Sequence, residues 1–535
     1  MIFDTTRYPY PSKRTCVFAQ NGVVASSQYL ASQAGLDILK KGGNAIDAAV
    51  ACAACLAVTE PTSNGIGGDA FALVWYKNKL CGLNSSGPAP RALNPQALAD
   101  KGLTRIPLYG WIPVTVPGAP AAWAEMIGKF GNLSLSEVLR PAVHYAEDGY
   151  PVSAVVSQNW EHYLGLYQKE LKGDVFREWF RMFAPNGKAP SPGEIWRSPQ
   201  MASTLAMIGE SNAESFYQGE LAEKICAYSG KHGGYLRPDD LRNYKPEWVD
   251  PLHVHYHGYS IWELPPNGHG IVVLIALHIL QQLDLDPDSP EFDHAAIEAV
   301  KLAFADGFSL IGDPKFQEIP LHQFLSEEHA KFLSKKIDLK SSSPTPQQSY
   351  QGGTVYLATA DREGNMVSFI QSNYTGFGSG LVIPDTGIAL HNRGSCFNLV
   401  KGHPNSLEPE KRPYHTIIPG FMTKDSRAIG PFGVMGAMMQ PQGHLQVIIN
   451  LINRKLNPQA ALDAPRWQWT GDNTLLVEGS FSPDLANVLK DFGHQIEISG
   501  STASFGRGQI IWKDYSQGVY ISGTEPRADS LLACY

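Results

Sequence analysis

The sequence predicts an α+β protein of the αββα kind, two β-sheets stacked face to face between two helical layers. Three observations carry this. Residues 354–361 and 366–372 form an apolar hairpin whose strands carry apolar residues on both faces, as strands covered on each side require. Residues 44–58 form an alanine-rich helix that is apolar all round and has to be buried. A long, mostly helical block (about 107–339) and a C-terminal half alternating strands, loops and helices supply the rest of both outer layers.

Composition bounds the function first. The chain has 535 residues, 43% of them hydrophobic, ample for a large core. The formal charge of −8 is modest and spread along the chain. No run of Lys or Arg points to nucleic acid or a membrane surface. Met1 to Pro9 contain no apolar run of the secretory kind, and the longest apolar stretch, 45–58, contains Asp47 and is too short to span a bilayer. Seven cysteines in so long a chain do not make a disulfide framework, so a cytoplasmic location is expected.

In chain order, Leu30, Ala34, Leu36, Ile38 and Leu39 fit a helix ending at Gly42-Gly43, and Asn44 caps the next one. Cys52 and Cys55 form C-x-x-C, but both lie in mid-helix, so they are expected to be packed thiols rather than a redox pair. Gly65-Ile66-Gly67-Gly68-Asp69 leads into a strand at 70–76. It lacks both G-x-G-x-x-G and a Gly-Lys-Ser/Thr, which excludes nucleotide binding. One short strand interrupts the helical block, placing His253, His255 and His257 on one face. The pattern suits a metal, but no Cys or acidic group accompanies it, so surface histidines are expected. Leu264 to Gly270, with Pro265-Pro266, precedes an apolar helix at 271–283. Two further helices are expected near 445–453 and 483–492. Lys340 to Gln351 are polar and turn-rich, cannot bury a face, and are expected to be exposed and mobile.

Directly after that segment stand Gly352-Gly353-Thr354. Thr354 can be read simply as a β-branched residue opening a strand. If the bond before it were cut, its α-amine, with an ordinary pKa near ~8, would be a base beside its own hydroxyl, the threonine variant of nucleophilic catalysis.

Gly353-Thr354 through Asp361, Phe377-Gly378-Ser379-Gly380, Pro384-Asp385-Thr386-Gly387-Ile388, Lys411-Arg412-Pro413 and Glu525-Pro526-Arg527 resemble the small subunit of the γ-glutamyltranspeptidase family. Gly42-Gly43-Asn44-Ala45-Ile46-Asp47-Ala48-Ala49, Glu60-Pro61, Gly65-Ile66-Gly67-Gly68 and Pro117-Gly118 resemble its large subunit. The resemblance runs in the family's order from about Val24 to Tyr535. It implies a four-layer N-terminal-nucleophile hydrolase, made as one precursor that cuts itself between Gly353 and Thr354. Residues 1–353 would then be a large subunit and 354–535 a small one, intertwined in one structural domain. It implies no metal or organic cofactor, a small-molecule amide substrate, and the two fragments of the precursor as each other's partner. Self-association of the whole is left open.

Position by position, Ser372 takes the place of a family threonine bonded to the nucleophile. Gly436 and Ala437 take that of the two-glycine turn whose amides form the oxyanion hole, provided Ala437 tolerates the turn. Ser86 replaces the arginine that grips the γ-glutamyl α-carboxylate, and Cys396 the acid that holds its α-amine. Tyr374 replaces an asparagine, and His415-Thr416 a pair of serines. Arg393 is a charge gained, suited to a carboxylate. Arg393-Gly394, Ser86-Gly87 and Tyr374 together are similar to the oxamate amidohydrolase branch and to the cytoplasmic glutathione-hydrolase-like members. Three functions therefore stand: an enzyme cleaving γ-glutamyl compounds of the glutathione type or related small anionic amides, an oxamate-type amidohydrolase or acylase without γ-glutamyl activity, and a dead member serving as a binding protein.

Overall fold

The computed structural model describes residues 9–10, 14–345 and 353–535. Two seven-stranded sheets form its centre. The first runs Leu531–Cys534, Gly22–Ser26, Gly353–Asp361, Met366–Tyr374, Asp69–Tyr76, Lys79–Ser85, Glu247–Val249. The second runs Val17–Ala19, Val519–Thr524, Arg507–Asp514, Arg427–Met435, Gly420–Lys424, Tyr259–Glu263, Leu252–Tyr256.

Alternation along the central hairpin explains the layering. Tyr356, Ala358 and Ala360 point between the sheets and pack with Phe421, Ile511 and Tyr520 of the second. Val355 and Leu357 point the other way, into a cluster with the helix Ala45–Thr59, whose every residue is buried. The outer face of the second sheet, through Ile261, Phe432, Val434 and Ile510, is covered by the helices Gly270–Leu280, Pro290–Leu310 and Met439–Ile452. Each side chain wholly buried this way contributes about 1.5–3 kcal/mol, which is why both faces of both sheets are apolar. The αββα expectation is met.

Local signals mostly held. Tyr29–Lys40 ends before Gly42, at φ 99°, and Asn44 caps Ala45–Thr59 through a reciprocal capping box with Asp47. Cys52 and Cys55 are buried free thiols, and burial pushes the Cys52 thiol up to about 12.

Three readings need correction. The strand after the histidine segment, Tyr259–Glu263, was not foreseen, although His257 (φ 45°) and Gly258 (φ 84°) form the tight left-handed turn of a two-residue hairpin. His257 therefore leaves the strand, and no face carries all three imidazoles. A short helix, Pro458–Asp463, and a peripheral sheet of Trp467–Gly471, Thr474–Glu478 and Gln495–Ser499 were also missed. Finally, the expected mobile segment is pinned as far as it is described. Ser342 bonds the buried Lys301 ammonium at 2.7 Å and Thr345 pairs with Asp472. The rest of that segment, 346–351, lies outside the described residues, as does Gly352. No helix among the described residues is long and apolar enough to cross a membrane.

Candidate active site

The hairpin register places Thr354. Gly353 pairs with Tyr374 and Val355 with Gln371, so Thr354 stands opposite Ser372 and Asn373 together, a bulge that re-aims both side chains. The Thr354 hydroxyl donates to Ser372 Oγ at 3.1 Å, and Ser372 donates onward to the Gly353 carbonyl at 2.7 Å. All three residues are buried. Ser372 Oγ also accepts from the Tyr374 amide at 2.8 Å and from Arg393 Nη2 at 3.3 Å. Three donors meet an oxygen with two lone pairs, and the arginine holds the longest bond.

Arg393 opens a short helical turn, Arg393–Cys396, and its side chain is fully buried. Its guanidinium lies 4.5 Å over the Tyr374 ring, donates to Thr416 Oγ1 at 2.7 Å, and passes 3.9 Å from Cys396 Sγ. Tyr374 is held at φ 73°, a left-handed conformation that turns the chain at the strand's end. Burial raises the Cys396 thiol above its ordinary value, with Arg393 partly opposing, so Cys396 is a neutral neighbour. Taking a guanidinium out of water costs several kcal/mol, and a nearby acid offsets part of that. That acid is Asp69. Its carboxylate oxygen lies 4.0 Å from Arg393 Nε, 3.2 Å from His391 Nδ1 and 2.9 Å from His415 Nε2. Burial by itself would raise the Asp69 pKa; the imidazoles of His391 and His415 outweigh it and hold the carboxylate ionised. Burial, then Arg393, push His415 down to about 3, so it is neutral.

Ser86 is near but not on Arg393. Its hydroxyl donates to Asn84 at 2.7 Å and receives a bond from Asn267, while Gly87 N–H reaches Asp69 at 3.3 Å. Thus Thr354, Ser372, Tyr374, Arg393, Cys396 and Thr416 form one contact group, with His415 joined through Asp69 and Ser86 at its margin.

Gly436 and Ala437 lie where Arg427–Met435 passes into the helix Met439–Ile452. Gly436 has φ 136°, Ala437 φ 49° and Met438 φ −70°. Ala437 does adopt the left-handed turn, at roughly 1–2 kcal/mol. A left-handed residue followed by a right-handed one makes a concave row of N–H groups, here at a helix N-terminus, and both features favour an anion.

Sequence reasoning missed Asp69 and His391. The available signal was an acid opening an otherwise apolar strand, tolerable only with buried cations around it. The histidine strand shows no metal geometry: His253 and His255 are exposed, and His253 stacks on Trp262 at 4.1 Å. Elsewhere, ligand atoms of His294, Glu298 and His494 lie within 4.8 Å of one another. They fit a metal poorly: Lys301 already neutralises Glu298 at 2.7 Å and the imidazoles bond each other at 2.8 Å.

The chain is similar to several known proteins along nearly its whole length. A sequence profile of gamma-glutamyltranspeptidase matches residues 31–535. A glutathione hydrolase-like YwrD proenzyme of Bacillus subtilis (strain 168) is 37% identical, covering 96% of this chain and 98% of that one. An oxamate amidohydrolase proenzyme of Klebsiella pneumoniae is 33% identical, over 96% of this chain and 98% of its own length. Among solved structures, a cephalosporin acylase from Bacillus halodurans superimposes with a TM-score of 0.95 at 54% identity, covering 100% of this chain and 99% of that one. The chain is therefore an enzyme of the gamma-glutamyltranspeptidase family.

Proposed function

We propose that the chain cuts itself before Thr354 and then uses Thr354 to hydrolyse small amides whose acyl part bears a carboxylate. The observation that carries this is the hydroxyl relay Thr354 to Ser372 to Gly353 O. In this reading Ser372 polarises the Gly353 carbonyl that Thr354 attacks. In self-cleavage the Thr354 oxygen bonds to the Gly353 carbonyl carbon, the C–N bond breaks, and the threonine nitrogen takes the proton. Water then hydrolyses the resulting ester, leaving a free α-amine beside the hydroxyl. The two fragments stay together, because strands of both share each sheet.

In the cut enzyme the same hydroxyl attacks a substrate amide, with the Thr354 amine as base. The Gly436 and Ala437 amides receive the oxyanion. Arg393 gives up its long bond to Ser372 and takes the substrate carboxylate, and water or an amino acceptor releases the acyl group. Names among the relatives, oxamate amidohydrolase and cephalosporin acylase, support an amide donor of this breadth. A γ-glutamyl donor would also bring an ammonium group. The buried carboxylate at hand, Asp69, is already engaged by His391, His415 and Gly87, so such donors are weaker. Seven free thiols favour a reducing compartment, the cytoplasm.

The test is a panel of glutathione, a γ-glutamyl anilide, oxamate and glutaryl amides. Acids lacking the α-amine are expected to give the highest kcat/KM; preference for γ-glutamyl donors overturns the reading.

A further inference from the structure

Arg507 takes no part in the steps above, yet it stands beside them. The strand Arg507–Asp514 packs across Gly353–Asp361 of the facing sheet through Ile511. One end of that crossing is fixed by Tyr520, which pairs with Lys513 and donates to the Asp361 carbonyl at 2.6 Å. The other end, Arg507, therefore falls at Gly353 and Thr354. Arg507 pairs with Met435, the residue before the Gly436–Ala437 turn, and cross-strand partners share a face. Met435 packs between the sheets with Tyr356, two residues beyond Thr354, so Arg507 points into that same space. Its backbone is held firmly. Arg466 donates to the Phe505 and Gly506 carbonyls at 2.9 Å each, and Glu525 accepts from the Gly508 amide at 2.7 Å.

The Arg507 guanidinium is under-bonded for a buried one, its side chain being 10% exposed. Nε donates to the Arg527 carbonyl at 3.3 Å, and Nη1 comes only within 3.9 Å of Glu60, beyond hydrogen-bond reach. Among the described residues its Nη groups have no acceptor, whereas Arg412 and Arg466 spend theirs on carboxylates and carbonyls. A guanidinium placed this way is costly unless an anion completes it. Glu60 competes weakly. Its Oε2 accepts from Ser27 at 2.5 Å, and burial raises its pKa, with Arg507 partly opposing.

Glu60 also shows on which side of the nucleophile Arg507 stands. Ser27 follows Gly22–Ser26, which pairs along one edge of the Thr354 strand. Ser372 and Asp69, which hold Arg393, lie on the strands beyond its other edge. The two arginines thus flank Thr354. The loop after Glu60 closes on the scissile residue: the Thr62 carbonyl and Ser63 Cα lie 3.1 Å from where a Gly353 β-carbon would stand.

We propose that Arg507 binds a carboxylate on the amine side of the scissile amide, so that the substrates are amides of amino acids or of other amines bearing an acid group. This rests on Thr354 as nucleophile and Arg393 as the acyl-side partner. When Thr354 takes the acyl carbon and the C–N bond breaks, the hydroxyl's proton passes by way of the Thr354 amine to the departing nitrogen. The amine then leaves from the Arg507 side. A guanidinium fork holds that carboxylate through charge-assisted bonds, and an uncharged leaving amine forgoes them.

The probes are N-glutarylglycine and N-glutarylglycinamide, which differ only in the charge of the leaving amine, with γ-glutamylglycine and γ-glutamylglycinamide alongside. Amine release is followed on fully self-cleaved protein. Wild type should favour the acid over the carboxamide by at least about tenfold in kcat/KM, mostly through KM. Arg507→Met should bring that ratio to within about twofold of one, and Arg507→Lys should restore part of it. A merely structural role would slow both probes alike and leave the ratio standing. If Arg507→Met does not fold, Glu60→Gln with Arg507→Met removes both charges of the pair and gives the same readout. No preference in wild type, or a preference retained by the folded variants, overturns the proposal. Faster turnover of the γ-glutamyl pair would instead overturn the reading of Arg393, and within that pair the ratio of acid to carboxamide still decides Arg507.

Discussion

The hydroxyl of Ser372 donates a 2.7 Å hydrogen bond to the carbonyl of Gly353, the group that a self-cleaving Thr354 attacks. One side chain therefore touches both ends of the first reaction, accepting from the nucleophile and polarising its target. Replacing it removes a preorganised donor to a developing oxyanion, an interaction worth about 10²–10³ in rate. Ser372→Ala should still fold, and its self-cleavage, followed on denaturing gels, should slow by about that factor. Cleavage at the wild-type rate would remove Ser372 from the mechanism.

Arg393→Met keeps bulk and removes the guanidinium. Because Arg393 also reaches Ser372 in the uncut chain, self-cleavage of this variant is expected to slow, and substrate kinetics belong on protein already fully cut. On that protein, kcat/KM for the best anionic amide should fall by about one to two orders of magnitude, the loss of charge-assisted bonds worth roughly 1.5–3 kcal/mol. An unchanged value would mean that the carboxylate is held elsewhere.

Ala437 sits at φ 49°, where a β-carbon is strained. Ala437→Gly should relieve roughly 1 kcal/mol, raise Tm by about 1 °C and preserve activity, while Ala437→Val should lower both. A valine variant as stable and active as wild type would show that the turn carries no strain.

Much of this was legible because it is local. Two-sided apolar patterning marks Gly353–Asp361 and Met366–Tyr374, and Asn44 with Asp47 marks a helix start. Thr354 was singled out because a hydroxyl at a loop-to-strand junction after two glycines stands out in one dimension, and Ser372 and Arg393 because of the positions they take in the resemblance to the family. Asp69, His391 and His415 could not be joined that way. Their ion pairs close over hundreds of residues, and only sheet register and the Arg393 loop bring them onto one carboxylate. The Tyr259–Glu263 strand was lost for another reason: its turn, His257-Gly258, lacks the Asn-Gly or Asp-Gly pair that usually announces such a hairpin.

Burial, then Lys301 and His294, hold the His494 imidazole neutral, with its pKa pushed down to about 3. The unfolded chain takes up a proton near the ordinary histidine value of ~6.5 and the folded one does not. His494 therefore contributes a stability that is present above about pH 6.5 and lost as pH falls toward its folded value. His494→Gln, whose amide can still donate to His294, removes that dependence. The gap in denaturant midpoint between wild type and variant should shift steadily against wild type from about pH 7 to about pH 4.5. A gap constant across that range would show that His494 titrates alike in both states.

The most direct measurement is the intact mass of purified protein after prolonged incubation, with Thr354→Ala in parallel. Wild type should resolve into two polypeptides, one ending at Gly353 and one beginning at Thr354, their masses summing to the precursor plus one water. Thr354→Ala should remain whole and inactive, and Thr354→Ser should cut slowly. Folded wild-type protein that shows only the full-length mass, or a cut at any other bond, would contradict Thr354 as the nucleophile.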